Sequence, residues 1–119
     1  MNKFGSKMQF AAISIKGDLH NPETIIHLTD IILSSISMTK ASGAVVCTYP
    51  FEDKGGVGYT YFQPMTESFI TWDIYPELNG GYLFIASCKP FWLMDIIIVL
   101  KSNGLKVIEC PTLQLSLDK

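Results

Sequence analysis

The sequence contains no arginine. All nine of its basic residues are lysines, and they are scattered from Lys3 to Lys119 without a basic cluster. Proteins that hold phosphate-rich partners usually do so with arginine forks or with runs of basic side chains. The formal net charge of −2 also disfavours binding to a polyanion. We therefore expect no nucleic-acid partner.

Long apolar runs and cysteine pairs are missing as well. The strongest apolar run, Phe91 to Leu100, is too short to cross a bilayer and contains Asp95. Residues 1–10 are too polar for an export signal. The three cysteines are an odd number without a CxxC spacing, which is typical of a reducing compartment. The sequence predicts a cytoplasmic protein with no membrane anchor.

Charged residues are scarce, at 17% of the chain against 48% hydrophobic residues. A composition of this kind excludes a disordered tail. A length of 119 residues fits one domain. We expect a single domain spanning residues 1–119.

Apolar periodicity predicts an alternation of strands and helices. Residues 8–15 alternate as a strand, and Asn21 and Pro22 are typical of the N-cap and first turn of a helix that ends at Ser42 and Gly43. A second helix is predicted over residues 91–100, with Gly104 as its C-cap. The predicted strands that follow the first helix cover residues 44–49, 59–65, 69–75, 82–87 and 106–110, the last with a possible extension to 115.

This order predicts an α+β fold, a two-layer sandwich with both helices on one face of a largely antiparallel sheet. The other face then lacks a cover. Residues 82–87 are apolar on both sides of their strand. A bare apolar sheet face usually finds a partner, so we expect a symmetric homodimer; the alternative is a well-packed central strand.

Familiar catalytic and metal-binding signatures are absent from the sequence. His20 and His27 lie beside neither a cysteine nor a carboxylate pair, which favours surface or capping roles over metal ligation. No Gly-rich phosphate loop, GxSxG elbow or HExxH helix is present. We predict no metal site.

Several short motifs occur at a distinctive joint spacing. Thr60 stands eight residues before Ser68, Cys88 stands twenty after it, and Pro76-Glu77 lies between them. In these motifs the chain resembles the bacterial S-adenosylmethionine decarboxylase proenzymes, whose pattern has a GV(S/T)G turn, an ESH cleavage site, an HTWPE stretch and a downstream cysteine. The resemblance extends across most of the chain, without a gap from Thr60 to Cys88.

The resemblance implies a self-made cofactor. In such proenzymes the serine hydroxyl attacks the preceding carbonyl, and elimination and hydrolysis then leave a pyruvoyl group on the serine residue. The serine itself becomes this group, which stands at the new N-terminus. Here cleavage would fall between Glu67 and Ser68 and give chains of residues 1–67 and 68–119. The implied activity is decarboxylation of a small cationic substrate, S-adenosylmethionine, in spermidine and polyamine biosynthesis. The implied site forms where two protomers meet.

The resemblance also implies roles for individual residues. Ser68 would be the pyruvoyl precursor, Thr60 a hydroxyl that assists self-processing, and Cys88 the acid that returns a proton to the substrate carbon. From the residue types alone, Ser68 and Thr60 could equally be polar residues of turns or strands. A free cysteine is most often a small buried hydrophobe.

Two histidines of the family pattern are replaced. Phe69 follows Ser68, and Asp73 stands where the HTWPE stretch begins. A carboxylate, with a reference pKa of about 3.9 against about 6.5 for imidazole, is the weaker base unless burial raises its pKa. Asp73 could be a base desolvated among aromatic rings, an anchor for a sulfonium or a distal amine, or an exposed strand-end aspartate. The predicted substrate-binding residues are Glu67, Phe69, Trp72 and Tyr75.

Three functional hypotheses remain open. The first is a pyruvoyl-dependent S-adenosylmethionine decarboxylase. The second is a homologue that does not process itself, carries no cofactor and acts as a dimeric small-molecule-binding or structural protein. The third is a pyruvoyl-dependent decarboxylase of another amino acid. Strand alternation places Ser68 and Asp73 on opposite faces, so any direct contact between them would require a turn or bulge.

Overall fold

The computed structural model describes residues 7–51 and 56–118. These residues form one antiparallel sheet and two α-helices, with a short 3-10 helix at Pro76–Leu78. The predicted α+β fold class is therefore confirmed. The elements in chain order are β1 (Lys7–Lys16), α1 (Pro22–Ser35), β2 (Val45–Phe51), β3 (Gly56–Pro64), β4 (Ser68–Tyr75), β5 (Gly80–Ser87), α2 (Leu93–Ser102), β6 (Lys106–Glu109) and β7 (Thr112–Ser116).

The strand order is β2-β3-β4-β5-β1. Both C-terminal strands, β6 and β7, pair with the edge of β1 that faces away from β5. β7 pairs with the first half of β1 and β6 with its end. Between them the backbone N–H of Ala12 donates to the carbonyl of Pro111 at 3.0 Å. The single predicted last strand is thus two strands, because the chain breaks its ladder at Cys110 and at Pro111, which has no N–H to donate.

The first helix begins where the sequence predicts it but ends earlier. The side chain of Asn21 accepts from the N–H of Glu23 at 3.0 Å and caps the first turn. The predicted end at Ser42 and Gly43 is wrong, because α1 stops at Ser35. Ser37 has a φ of +56°, which a helix cannot continue through, and the N–H of Met38 donates to the Leu33 carbonyl at 2.9 Å to close the end.

Both helices pack on the same face of the sheet, which we call the covered face. From the sheet, Trp72, Ile70 and Ile85 are completely buried there, and α1 and α2 contribute Ile32 and Ile96. Each such side chain stabilises the fold by roughly 1.5–3 kcal/mol through its removal from water. Neither helix of the described chain is long and apolar enough to cross a membrane.

The opposite face of the sheet, which we call the open face, carries a chain of aromatic rings. Ring centroids are separated by 5.7 Å for Phe62 and Phe69, 6.3 Å for Tyr82 and Phe84, and 6.5 Å for Phe84 and Phe10. Phe62 and Tyr82 are 36% and 43% exposed. Within residues 7–51 and 56–118 neither helix lies over these rings, as the sequence predicts.

Candidate functional site

The peptide bond between Glu67 and Ser68 lies at the exit of a tight hairpin. Strands β3 and β4 are joined through a loop at Thr66 and Glu67, and the N–H of Met65 donates to the Ser68 carbonyl at 2.9 Å. Ser68 is the first residue of β4 and pairs with Ser87 of β5. The bond predicted to be cleaved is therefore in an ordered turn at one end of the sheet.

Two neighbouring segments hold Glu67 in place. Its carbonyl oxygen accepts a hydrogen bond from the backbone N–H of Cys88 at 3.0 Å. Its carboxylate accepts from the N–H of Thr39 at 3.2 Å, and the Thr39 carbonyl accepts from the N–H of Thr66 at 2.9 Å. We call Glu67, Ser68 and Cys88 the cleavage-site cluster. The structure brings these three predicted residues together.

A turn after β5 sets the position of Cys88. The hydroxyl of Ser87 donates to the Lys89 carbonyl at 2.7 Å and accepts from the Lys89 N–H at 2.9 Å. The ammonium of Lys89 donates to the carbonyl of Ser37 at 2.7 Å, which ties this turn to the end of α1. Thr39, Ser87 and Lys89 were not predicted from the sequence, because their contacts join segments distant in sequence and no local motif marks them.

A second polar group lies on the open face. Thr60 of β3 pairs with Asp73 of β4, and its hydroxyl donates to Asp73 Oδ1 at 3.1 Å. The hydroxyl of Tyr75 donates to Asp73 Oδ2 at 2.8 Å. This hydrogen bond to the carboxylate is the main cause that raises the pKa of Tyr75 above its ordinary value. Each carboxylate oxygen of Asp73 therefore accepts a hydrogen bond from a hydroxyl group.

These side chains line a pocket of about 350 Å³, which we call the acidic pocket. Its lining residues are Tyr49, Thr60, Asp73, Ile74 and Tyr75. Tyr49 comes from β2 and pairs with Gly58 of β3. Tyr49 was not predicted from the sequence, since only the register of β2 against β3 brings it to Asp73.

The cleavage-site cluster and the acidic pocket lie apart within one protomer. Ser68 and Asp73 are five positions apart on β4, which is about 16 Å along an extended strand. Strand alternation assigns them to opposite faces, as the sequence predicts. Thr60 lies beside Asp73 and not beside Ser68. A single chain thus brings the predicted catalytic residues together in two groups.

The aromatic residues predicted around Asp73 are divided between the two faces. Tyr75 contacts Asp73 directly, and Phe69 stacks against Phe62 further along the open face. Trp72 lies on the covered face, completely buried, where its indole N–H donates to the Thr29 hydroxyl at 3.0 Å. The structure therefore separates Trp72 from Asp73, because neighbouring residues of a strand face opposite ways.

The two histidines lie away from both groups. His20 is exposed and hydrogen-bonds to Asp18 through its ring nitrogen, and this contact lowers the pKa of the Asp18 carboxyl. His27 is exposed on α1. In the part of the chain that the structure describes, no three His, Cys, Asp or Glu side chains are grouped so that they could hold a metal ion.

The fold has a solved counterpart. The chain is similar to the crystal structure of the adenosylmethionine decarboxylase from Aquifex aeolicus VF5, with a TM-score of 0.64 and 16% sequence identity. The alignment covers 92% of this chain and 88% of that one. No protein-family model and no curated protein matches the sequence. The chain has an adenosylmethionine decarboxylase-like fold.

Proposed function

We propose that this chain is a self-processing proenzyme, a pyruvoyl-dependent decarboxylase of the adenosylmethionine decarboxylase type that acts in polyamine biosynthesis. The observation that carries the proposal is the hydrogen bond from the Cys88 N–H to the Glu67 carbonyl. This carbonyl belongs to the peptide bond that must break. Support also comes from the motif spacing around Ser68 and from the similarity in fold to a decarboxylase.

The first step of processing is an acyl shift. The Ser68 hydroxyl oxygen attacks the Glu67 carbonyl carbon, the C–N bond breaks as the ester C–O bond forms, and the proton of the hydroxyl ends on the released nitrogen. Negative charge develops on the Glu67 carbonyl oxygen during the attack. The Cys88 N–H already donates to that oxygen, and one such donor accelerates acyl transfer by about 10²- to 10³-fold in known enzymes.

The second step needs a base. Removal of the Ser68 Cα proton breaks the ester C–O bond and releases Glu67 as a new chain end. Water then displaces ammonia from the remaining unsaturated residue. The resulting pyruvoyl group would supply an electron sink for decarboxylation. Cys88 directly follows Ser87, the β5 residue that pairs with Ser68, which is a suitable place for an acid that returns a proton to the substrate.

The need for a base in the second step of processing is a reason to consider a second protomer. Asp73 occupies the position of the family's histidine, but it lies about 16 Å from Ser68 of the same chain. We infer a symmetric homodimer that stacks its open faces, which places Thr60 and Asp73 of both copies at the interface. The partly exposed rings of Phe62 and Tyr82 support this association.

Mass measurement on denatured protein tests the proposal. We expect two fragments, residues 1–67 and 68–119, with the second lighter by one ammonia than the product of simple hydrolysis. Ser68→Ala should abolish cleavage, whereas Ser34→Ala, a matched change on the exposed side of α1, should leave it intact. A full-length species that persists in the wild-type chain after long incubation would refute the proposal. Carbon dioxide release from S-adenosylmethionine and from other amino acids then identifies the substrate.

One observation favours a second candidate function, that of a binding protein without self-cleavage. Both oxygens of Asp73 are engaged by hydroxyl groups of the same chain, and the residue is remote from Ser68. A carboxylate held in this way is better placed to bind a ligand than to remove a proton in another part of the molecule. The mass measurement separates the two candidates directly.

A further inference from the structure

The acidic pocket has the size and chemistry of a ligand site. Its volume of about 350 Å³ lies within the range of small-molecule sites in proteins. Asp73 is the one charged side chain among its described lining residues, and two tyrosine rings form much of the remaining wall. The carboxylate is partly buried, and hydroxyl groups fix it from two sides.

The negative charge of Asp73 has no cationic partner among residues 7–51 and 56–118. The described lysines whose ammonium contacts are resolved point elsewhere. Lys16 donates to the Leu78 carbonyl, Lys40 pairs with Asp30, and Lys89 donates to the Ser37 carbonyl. A partly buried carboxylate that has no counter-charge among the described residues is suited to receive one from a ligand.

We propose that the acidic pocket binds the primary ammonium group of a small aliphatic amine. A carboxylate offers about four acceptor positions, and the hydroxyls of Thr60 and Tyr75 occupy two of them. The remaining positions require N–H donors, which an ammonium supplies and a sulfonium lacks. The ring faces of Tyr49 and Tyr75 attract the same positive charge.

Tyr75 has a specific part in this site. Its hydrogen bond to Asp73 raises the pKa of the phenol, so the hydroxyl keeps its proton and stays a donor through the neutral range. The carboxylate is therefore oriented before the ligand arrives, which lowers the entropy lost on binding. The site stands in the uncleaved chain as it does here, so the inference goes beyond the proposed function and does not require it.

Calorimetry with matched probes tests the proposal. The protein is used both as the wild-type chain and as Ser68→Ala, so that cleavage and binding are read separately. We expect n-butylamine to bind about tenfold or more tightly than 1-butanol, since a hydrogen bond to a charged group is worth more than a neutral contact. Trimethylsulfonium, which has charge but no N–H, should bind at least about threefold more weakly than the amine.

Two variants and one control localise the binding. Asp73→Asn should weaken n-butylamine about tenfold and remove its advantage over 1-butanol. Tyr49→Leu keeps the carboxylate and should weaken the amine about threefold through loss of a ring face. Glu23→Gln removes a negative charge from the exposed first turn of α1, which packs on the covered face, and should change the affinity less than twofold.

Three outcomes would overturn the inference: equal binding of n-butylamine and 1-butanol, trimethylsulfonium binding as tightly as the amine, or unchanged affinity in a folded Asp73→Asn chain. Circular dichroism of each variant verifies folding. A chain that never cleaves but binds the amine refutes the proposed function and retains the pocket. A chain that cleaves but shows no amine preference refutes the amine site and retains the proposed function.

Discussion

The two faces of the sheet use their aromatic side chains in different ways. On the covered face, Trp72, Tyr59 and Tyr61 are at most 2% exposed, and each polar atom has a partner within the protomer. On the open face, Phe62 and Tyr82 each contact a neighbouring aromatic ring, and more than a third of each residue is exposed to solvent. The covered face forms the hydrophobic core of the protomer. The open face leaves apolar surface exposed, where another molecule can contact it.

The residues proposed for function follow the same division. Thr60, Asp73 and Tyr75 project from the open face, where a ligand or a second copy can reach them. A buried polar cluster of this kind would contribute to folding alone. The difference indicates that the protomer tolerates exposed rings, and a carboxylate with no cationic partner among the described residues, because the covered face supplies its stability.

The largest expected effect is a loss of stability on the covered face. Trp72→Ala should lower the free energy of unfolding by about 3–5 kcal/mol, because it removes a fully buried ring and leaves a cavity. Tyr82→Ala, the comparable change on the open face, should cost less than about 1 kcal/mol in the isolated protomer. Urea unfolding at low protein concentration measures both. Equal losses would break the distinction between the faces.

The next effect concerns association. Phe84→Lys should weaken dimer formation by about thirtyfold or more, since it puts a charge at the centre of the aromatic chain on the open face. Ile98→Lys makes the same kind of change at an exposed position of α2 and should leave association unaltered. Sedimentation velocity over a concentration series measures the dimer formation of both variants. Dissociation by the α2 variant alone would place the interface on the helices.

The smallest expected effect is on the pH dependence of folding stability, and it compares one tyrosine from each face. Burial raises the pKa of Tyr59 well above its ordinary value, and its hydroxyl donates to the Leu19 carbonyl at 2.5 Å. In the unfolded chain a tyrosine loses its proton near pH 10, while folded Tyr59 keeps it. The unfolded state then binds fewer protons, so stability falls as pH rises above about 10.

Tyr59→Phe should therefore cost about 1 kcal/mol at neutral pH, through the lost hydrogen bond, and should flatten the alkaline decline. Unfolding in urea from about pH 8 to pH 11 gives both quantities. The matched variant on the open face is Tyr75→Phe, whose hydroxyl serves Asp73 and not the core. A decline as steep in Tyr59→Phe as in the wild-type chain would assign the effect to other groups.

Local signals in the sequence predicted the parts of the fold that depend on neighbouring residues. Asn21 and Pro22 marked the start of α1, because an N-cap and a first-turn proline act within one turn. Alternation predicted the two faces of β5 and the separation of Ser68 from Asp73. The end of α1 was missed, since its apolar spacing continues to Ile36 while a positive φ at Ser37 ends the helix.

The candidate site could be predicted only in part. Glu67, Ser68 and Cys88 were predicted from the resemblance of their motifs to those of a known family, and the structure places them together. The donation from Thr39 and the contribution of Tyr49 could not be predicted, because they depend on which segments the fold brings side by side. Trp72 was grouped with Asp73 by proximity in sequence, although adjacent strand residues belong to different faces.

The order of strands has a consequence for a chain cut after Glu67. Residues 1–67 would contain β1, β2 and β3, and residues 68–119 the other four strands. Across the sheet the two pieces interleave, because β1 lies between β5 on one side and β6 with β7 on the other. Neither piece could leave without dismantling the other, so a nicked molecule would migrate as one particle. Once denatured, however, it would regain its structure in a second-order reaction that dilution slows.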